Sequence, residues 1–241
     1  MDKQNKIFLV IITLCTLIVV GICTWSIINH EKENDKTNIS DAVKFKNEYE
    51  ESNGKSNSSG SIYPTVTISE NNPVKYVTEA EAVDLLENGT GVIYFGFSNC
   101  PWCRNMIGPL VTAAKEANTT LYYLDIYDIR SSYEIKDNEL VKTKEGTEGY
   151  YKLLNLLDSE LSDYVLKDDG KKEYITGEKR LYAPTVVAVK DGEVTKLHVG
   201  TVESQTDPYT KLSDEEINKL NKLFTELIKT TLSNTCTSTG C

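Results

Sequence analysis

A short apolar run from Gly91 to Phe97 constrains the fold of this chain more than any other stretch. It reads GVIYFGF, and seven uncharged, largely β-branched or aromatic residues are typical of a strand buried on both faces. The pattern then changes to that of a helix, which is predicted from Pro101 to about Ala117 with Pro109 inside it. A strand buried on both faces needs helices on both sides of its sheet. The run therefore predicts an α/β fold.

The rest of the chain beyond residue 74 continues this alternation of strand and helix patterns. A Ser or Thr followed three residues later by Glu forms a capping box at the start of a helix, and Thr78 and Ser213 each begin such a pattern. The predicted elements are the helix 78–87, the buried strand 121–126, the hairpin strands 182–189 and 194–199, and the helix from residue 213. We expect a mixed sheet sandwiched by helices, in a domain that covers residues 62–232.

Residues 128–178 exceed what this alternation needs, and we treat them as a helical insertion. An amphipathic stretch from Tyr150 to Leu166 predicts a helix within it. The insertion could form a lid or a substrate-binding cap, or it could add packing without a role in the chemistry.

An uncharged stretch of 22 residues, Ile7 to Ile28, precedes the domain. As a helix it would be about 33 Å long, enough to cross the hydrocarbon core of a bilayer, which is about 30 Å thick. The side chains before it sum to +1 and the first charges after it to −1, which places residues 1–6 in the cytoplasm and the domain outside. A cleaved signal peptide and a lipidated Cys23 are the alternatives, and otherwise Cys15 and Cys23 are apolar residues of the span.

Residues 29–61 read as a disordered tether between this span and the domain. The segment is polar, has no hydrophobic period, and ends in a stretch rich in Ser, Asn and Gly. The expected protein is therefore a single-pass protein of the cell membrane, with its domain extracytoplasmic and its N-terminal helix in contact with lipid.

The composition excludes several functions. Lys and Arg total 26 against 36 Asp and Glu, a formal net charge of −10, so binding to nucleic-acid phosphates is not expected. Only two histidines occur, which argues against His-rich metal sites and against most hydrolases that use histidine. The six cysteines are the informative residues. They fall into three pairs, Cys15 with Cys23, Cys100 with Cys103, and Cys236 with Cys241.

The chemistry of the chain is predicted at Cys100-Pro101-Trp102-Cys103. Pro101 suits the first helical position, which places Cys100 near the N-cap, where free amides and the helix dipole lower the pKa of a thiol. Cys103 lies one turn on and can reach Cys100 to close a disulfide. Cys100 would attack a substrate and Cys103 would resolve the mixed disulfide, with no cofactor and no metal. Arg104 could add a positive charge beside the thiolate.

The residues around this motif resemble the thioredoxin superfamily. Residues 95–110, FGFSNCPWCRNMIGPL, are similar to that family's active-site strand, motif and helix, and Ala183-Pro184-Thr185 is similar to its cis-proline loop. The resemblance implies a cis Pro184 against Cys100, with the backbone of Ala183 pairing with an extended substrate. Among subfamilies, the chain is similar to membrane-tethered thioredoxin-like proteins of Gram-positive bacteria, including bacteriocin transport accessory proteins.

The resemblance implies a thiol-disulfide oxidoreductase that acts outside the cytoplasm on cysteines of secreted or surface proteins and peptides. A redox partner in the membrane or outside would recharge it. The absence of a polar or basic residue between the cysteines favours a reductase. The chain departs from the family at Tyr94, six residues before Cys100, where cytoplasmic thioredoxins carry a buried acid that assists proton transfer. Exchange could therefore be slower, or water or Tyr94 could take that role.

Three other functions remain open at this point. Cys236 and Cys241 could join Cys100 and Cys103 as four ligands of a structural zinc ion. A redox-inert module of the same fold could bind peptides during export, and a Cys–His hydrolase would pair Cys100 with His198. The tail pair, Cys236 and Cys241, could also form a local disulfide or act as a dithiol that recharges the active site.

Overall fold

The computed structural model describes residues 39–232 of the chain. The fold described below is that of the compact unit that begins at Asp41. Within the described range, no helix combines the length and the apolar character that crossing a membrane requires. Three predictions concern residues outside that range: the membrane span at 7–28, its cysteines Cys15 and Cys23, and the tail pair Cys236 and Cys241.

Helices and strands alternate along the described residues, much as the sequence predicts. The helices are α1 (Asp41–Glu50), α2 (Glu79–Asn88), α3 (Pro101–Glu116), α4 (Glu148–Leu156) and α5 (Asp214–Lys229). The strands are β1 (Val74–Tyr76), β2 (Gly91–Gly96), β3 (Leu121–Asp125), β4 (Ser132–Lys136), β5 (Glu139–Lys144), β6 (Asp163–Lys167), β7 (Glu173–Lys179), β8 (Thr185–Lys190) and β9 (Glu193–Val199).

Five strands form the central sheet, in the order β1-β3-β2-β8-β9. β3 pairs parallel with β1 and β2, whereas β8 pairs antiparallel with β2 and β9, so the sheet is mixed. Every residue of β2 is buried. Val92 and Tyr94 of β2 join a core with α1, α3 and α5, and Ile93 and Phe95 join a core with α2 and α4. Helices cover both faces of the sheet, which confirms the predicted α/β sandwich.

Local signals in the sequence place the ends of several elements. Thr78 and Ser213 form the predicted capping boxes at the starts of α2 and α5. The turn between β8 and β9 has Asp191 at φ 51° and Gly192 at φ 77°, and Asp and Gly tolerate this left-handed conformation better than most residues. α3 begins at Pro101 as expected. The strand and the helix that bear the cysteine motif are therefore where the sequence predicts them.

The prediction of a disordered tether over residues 29–61 is wrong from Asp41 onwards. Residues 41–50 form α1, and its Phe45 and Tyr49 are fully buried in the core. These two residues, four positions apart, are the only fully buried ones in a helix that is otherwise polar, so the segment lacks the longer apolar period that marks a buried helix. The folded domain therefore begins at Asp41 and not at residue 62.

The insertion at residues 128–178 is not helical as predicted, because it contains more strand than helix. It consists of the hairpin β4–β5, the short helix α4 and the hairpin β6–β7. The helix predicted over residues 150–166 ends at Leu156, and β6 follows. Leu157 and Leu161 continue the helical spacing and are buried, but they lie after the helix. Apolar spacing therefore does not mark the end of α4.

Candidate active site

The predicted dithiol lies where the chain passes from β2 into α3. Cys100 is the N-cap residue of α3, and Pro101 follows it in the first turn. A backbone N–H at that position has no partner within the helix, so the N–H that proline lacks is not needed there. The backbone N–H of Cys103 donates to the Cys100 sulfur at 3.4 Å. Cys100 is 4% exposed and Cys103 is fully buried, and both are free thiols. The start of the helix therefore brings the two cysteines together, as their spacing predicts.

Several contacts lower the pKa of the Cys100 thiol, although burial opposes them. The largest contribution is a hydrogen bond with the Cys103 thiol. The backbone N–H groups of Cys103 and Trp102 and the positive charge of Arg130 add to it. A lower pKa gives Cys100 more thiolate, which is the form of cysteine that attacks disulfides.

Cys103 lies in the opposite kind of environment. Burial raises the pKa of the Cys103 thiol well above its ordinary value, and the hydrogen bond and the charge of Cys100 add to the effect. A hydrogen bond with Tyr94 of β2 acts in the opposite direction and lowers the pKa of Cys103. The Tyr94 hydroxyl also forms a hydrogen bond with the Tyr49 hydroxyl of α1 at 2.7 Å, and both tyrosines are fully buried. A pair of tyrosines therefore stands behind Cys103.

The loop before β8 lies against the other side of Cys100. The peptide bond between Ala183 and Pro184 is cis, as predicted. The Cys100 thiol donates to the Ala183 carbonyl oxygen at 3.5 Å. Thr185 is buried at the start of β8, and its hydroxyl donates to the carbonyl oxygen of Tyr182 at 2.6 Å. This bond ties the loop to the strand that follows it.

Arg104, directly after the motif, has a different role from the predicted one. It is 2% exposed. Its guanidinium donates to four oxygens, those of the Pro64, Tyr49 and Ser98 carbonyls at 2.7, 2.6 and 2.9 Å and that of the Asn53 side chain. These acceptors satisfy a buried cation, and three of them fasten residues 41–68, which we call the N-terminal segment, to the start of α3. The positive charge that lowers the pKa of Cys100 is that of Arg130 instead.

Arginine and aromatic side chains border the Cys100 side of the site, and sequence reasoning missed the arginines among them. Arg130 lies over the Phe97 ring at 4.7 Å, and Arg180 lies over the Tyr164 ring at 4.2 Å. We define the arginine–aromatic flank as these four residues with Tyr127, which contacts Phe97 edge-on, and Tyr182, which contacts Tyr164 edge-on. The sequence did contain a signal for these arginines, because the chain has only three and each of them could have been considered as a candidate site residue.

Two alternatives from the sequence can be compared with the described residues. His198 lies on β9, where its ring meets Phe224 edge-on at 5.7 Å between centroids and burial lowers its pKa. Within residues 39–232 no contact joins His198 to Cys100, so the structure does not bring the proposed hydrolase pair together. In the same part of the chain, no group of three or more Cys, His, Asp or Glu side chains could hold a metal ion.

We compared the chain with known proteins at three levels. No family model, no curated protein and no solved structure matches it. What the protein does is therefore inferred from the dithiol and its surroundings.

Proposed function

We propose that the protein is a thiol-disulfide oxidoreductase that acts on cysteines of secreted or surface proteins and peptides. One observation carries the proposal: Cys100, at the start of α3, has a lowered thiol pKa, while Cys103 beneath it is fully buried with a raised pKa. This asymmetry suits a dithiol in which one sulfur attacks and the other resolves the product. The two sulfurs carry the electrons, so the reaction needs no cofactor.

In the reducing direction, the exchange has two steps. The Cys100 thiolate attacks one sulfur of a substrate disulfide, forms a mixed disulfide with it, and releases the other substrate sulfur as a thiolate that takes up a proton. The Cys103 thiolate then attacks the Cys100 sulfur, and the second substrate sulfur leaves. Two electrons have passed to the substrate, and a redox partner reduces the Cys100–Cys103 disulfide that remains. The reverse sequence oxidises a substrate dithiol.

Tyr94 assists the second step in this proposal. Cys103 must lose its proton in a site where burial raises its pKa. The Tyr94 hydroxyl, bonded to Tyr49 at 2.7 Å, donates a hydrogen bond to the Cys103 sulfur and stabilises the thiolate. Burial also raises the pKa of Tyr94 itself, which keeps the donor protonated. An uncharged tyrosine thereby takes the position that a buried acid has in cytoplasmic thioredoxins.

The proposal includes a thioredoxin-like fold and an extracytoplasmic location at the cell membrane. The mixed sheet, the dithiol at the start of a helix after the central strand, and the cis Pro184 loop against Cys100 support this fold. The uncharged stretch at residues 7–28 supports a retained single-pass anchor with its N terminus in the cytoplasm. Substrates would then be cysteines of exported proteins.

Trapping with cysteine variants tests the proposed reaction. Full-length protein with Cys103→Ser can form the mixed disulfide but cannot resolve it, so we expect covalent adducts with a disulfide peptide that dithiothreitol releases. Cys100→Ser should form no adduct. Cys236→Ser, which removes a cysteine outside the motif, should turn the peptide over like the wild-type protein. Nonreducing electrophoresis with mass spectrometry detects the adducts, and the rate of peptide reduction measures turnover by Cys236→Ser.

Two results would contradict this function and favour an alternative. Binding of the peptide without any adduct from Cys103→Ser would favour a redox-inert module for peptide export. Stoichiometric zinc in the purified protein, lost in both Cys100→Ser and Cys236→Ser, would favour a structural zinc site.

A further inference from the structure

The arginines of this chain are concentrated at the dithiol. The protein has a net charge of −10 and only three arginines, Arg104, Arg130 and Arg180. Arg104 follows the motif directly, and Arg130 lies over the ring of Phe97, whose carbonyl oxygen accepts from the Cys100 backbone N–H. Arg180 lies three residues before Ala183, whose carbonyl oxygen accepts from the Cys100 thiol. Guanidinium groups, which bind planar anions, are therefore concentrated around the dithiol of an otherwise acidic protein.

Arg130 and Arg180 are held close to each other. The Arg180 guanidinium donates to the carbonyl oxygen of Ser131, the residue after Arg130, at 2.6 Å. Arg180 is only 6% exposed. Burial, and after it the positive charge of Arg180, lowers the pKa of Arg130. The fold therefore holds two like charges near one another beside Cys100, where they repel each other.

Neither arginine has a carboxylate partner among residues 39–232. The carboxylate of Glu178 accepts from the Ser131 hydroxyl at 2.9 Å and pairs with Lys142 at 2.8 Å. Arg130 stacks on Phe97 and donates no hydrogen bond to any side chain or carbonyl of the described range. Its planar donors are free to bind an anion that comes from outside the domain.

We propose that Arg130, with the positive charge of the buried Arg180 beside it, binds a carboxylate of the substrate, so that the preferred substrates are polypeptides with Asp or Glu beside the reacting cysteine. The proposal rests on the exchange reaction proposed above and names its substrate class. Charge complementarity carries it, because a carboxylate relieves the repulsion between the two guanidiniums and matches the fork geometry of arginine. Tyr127 and Tyr182 of the arginine–aromatic flank, 50% and 37% exposed, offer contact surface to the neighbouring side chains of a polypeptide.

A set of matched peptides tests the preference in the full-length protein in detergent. Three disulfide peptides differ only in the residue beside the cysteine, which is Asp, Asn or Lys. We expect kcat/KM for the Asp peptide to exceed that for the Asn peptide about tenfold, with the Lys peptide slowest. The difference should shrink as salt is added, because the flank is partly open to solvent.

Variants of Arg130 then connect the preference to the flank. Arg130→Gln should bring the Asp-to-Asn ratio of kcat/KM close to one, and Arg130→Glu should make the Lys peptide the fastest. The ratio is the readout because Arg130 also acts on the Cys100 thiolate, and that effect is common to all three peptides. Lys222→Gln, which removes one positive charge from the exposed face of α5, is the matched control and should leave the ratio unchanged.

The outcomes separate the substrate class from the reaction itself. Equal kcat/KM for the Asp and Asn peptides in the wild-type protein would overturn the carboxylate site and leave the exchange reaction intact. No turnover of any peptide would instead overturn the proposed function. Faster reduction of oxidised glutathione than of the Asp peptide, also dependent on Arg130, would assign the site to small acidic disulfides and overturn the polypeptide assignment.

Discussion

The two cysteines of the motif are one helical turn apart and have opposite surroundings. Cys103 is buried in the core between α3 and the sheet, together with Tyr94 of β2 and Tyr49 of α1. Cys100 faces two backbone N–H groups, the Ala183 carbonyl and the charge of Arg130. The N-terminal segment and β2 build the first environment, whereas the start of α3, the insertion and the loop before β8 build the second.

This difference shows how one short motif can hold two thiols of unlike reactivity. Burial acts on both sulfurs, and alone it would raise the pKa of each. For Cys100 the donors and the cation outweigh burial, whereas for Cys103 the hydrogen bonds with Tyr94 and with the backbone of Phe97 do not. The contrast therefore begins with groups in and next to the motif, and Arg130 from a distant segment adds to it.

The largest predicted effect concerns α1, the helix of the N-terminal segment that supplies Tyr49 to the surroundings of Cys103. Phe45→Ala should lower the free energy of unfolding by about 3–5 kcal/mol, because a fully buried ring that contacts Tyr49 and Tyr123 at 4.5 and 4.9 Å between centroids is lost. Denaturant unfolding measures the change. The control is Asn47→Ala on the exposed face of α1, which should change it by less than about 0.5 kcal/mol. Equal, small effects of both variants would mean that α1 is not part of the core.

The next effect concerns the tyrosines behind Cys103. Tyr94→Phe removes the hydrogen bond to the Cys103 sulfur, so the second exchange step should slow about tenfold while the first step keeps its rate. The lifetime of the mixed disulfide after rapid mixing with a peptide measures the second step. Tyr122→Phe on the neighbouring strand β3 is the matched control and should leave this lifetime unchanged. A slower first step in Tyr94→Phe would show instead that Tyr94 acts on Cys100.

The smallest effect concerns the charge beside Cys100. A positive charge favours thiolate over thiol, so Arg130→Gln should raise the pKa of Cys100 from its lowered value towards that of an ordinary thiol. The rate of alkylation of Cys100 by iodoacetamide, followed against pH, should then reach its midpoint at higher pH. Lys222→Gln should leave the midpoint where it is. An unchanged midpoint in Arg130→Gln would assign the lowered pKa to Cys103 and the backbone alone.

Much of the site could be predicted because its signals are local. Capping boxes, the buried run of β2 and a proline in the first turn each act within a few residues, and they placed Cys100 at the start of α3. The cis bond before Pro184 was predicted from a resemblance and is present. These features need no knowledge of what lies across the domain.

The remaining features could not be predicted because they depend on tertiary contacts. Tyr49 belongs to a segment whose polar composition is typical of disorder, and only the partners of Phe45 and Tyr49 in the core make it a helix. The strands β4 to β7 are half-exposed and short, and their hairpins follow from pairing with each other. Arg130 reaches the site from the loop between β3 and β4, at a distance that no spacing in the sequence reveals.

The hydrogen bonds of Arg104 have a consequence for how the domain opens. Three of its four acceptors, on Tyr49, Asn53 and Pro64, belong to the N-terminal segment, so that segment cannot detach without stranding a buried cation next to the motif. Residues 41–68 and the first turn of α3 should thus behave as a single cooperative unit, with amide hydrogens that exchange with solvent in the same opening event. A fragment that starts at residue 62 would carry both cysteines of the motif but lack Tyr49 and Asn53, two of the acceptors of Arg104.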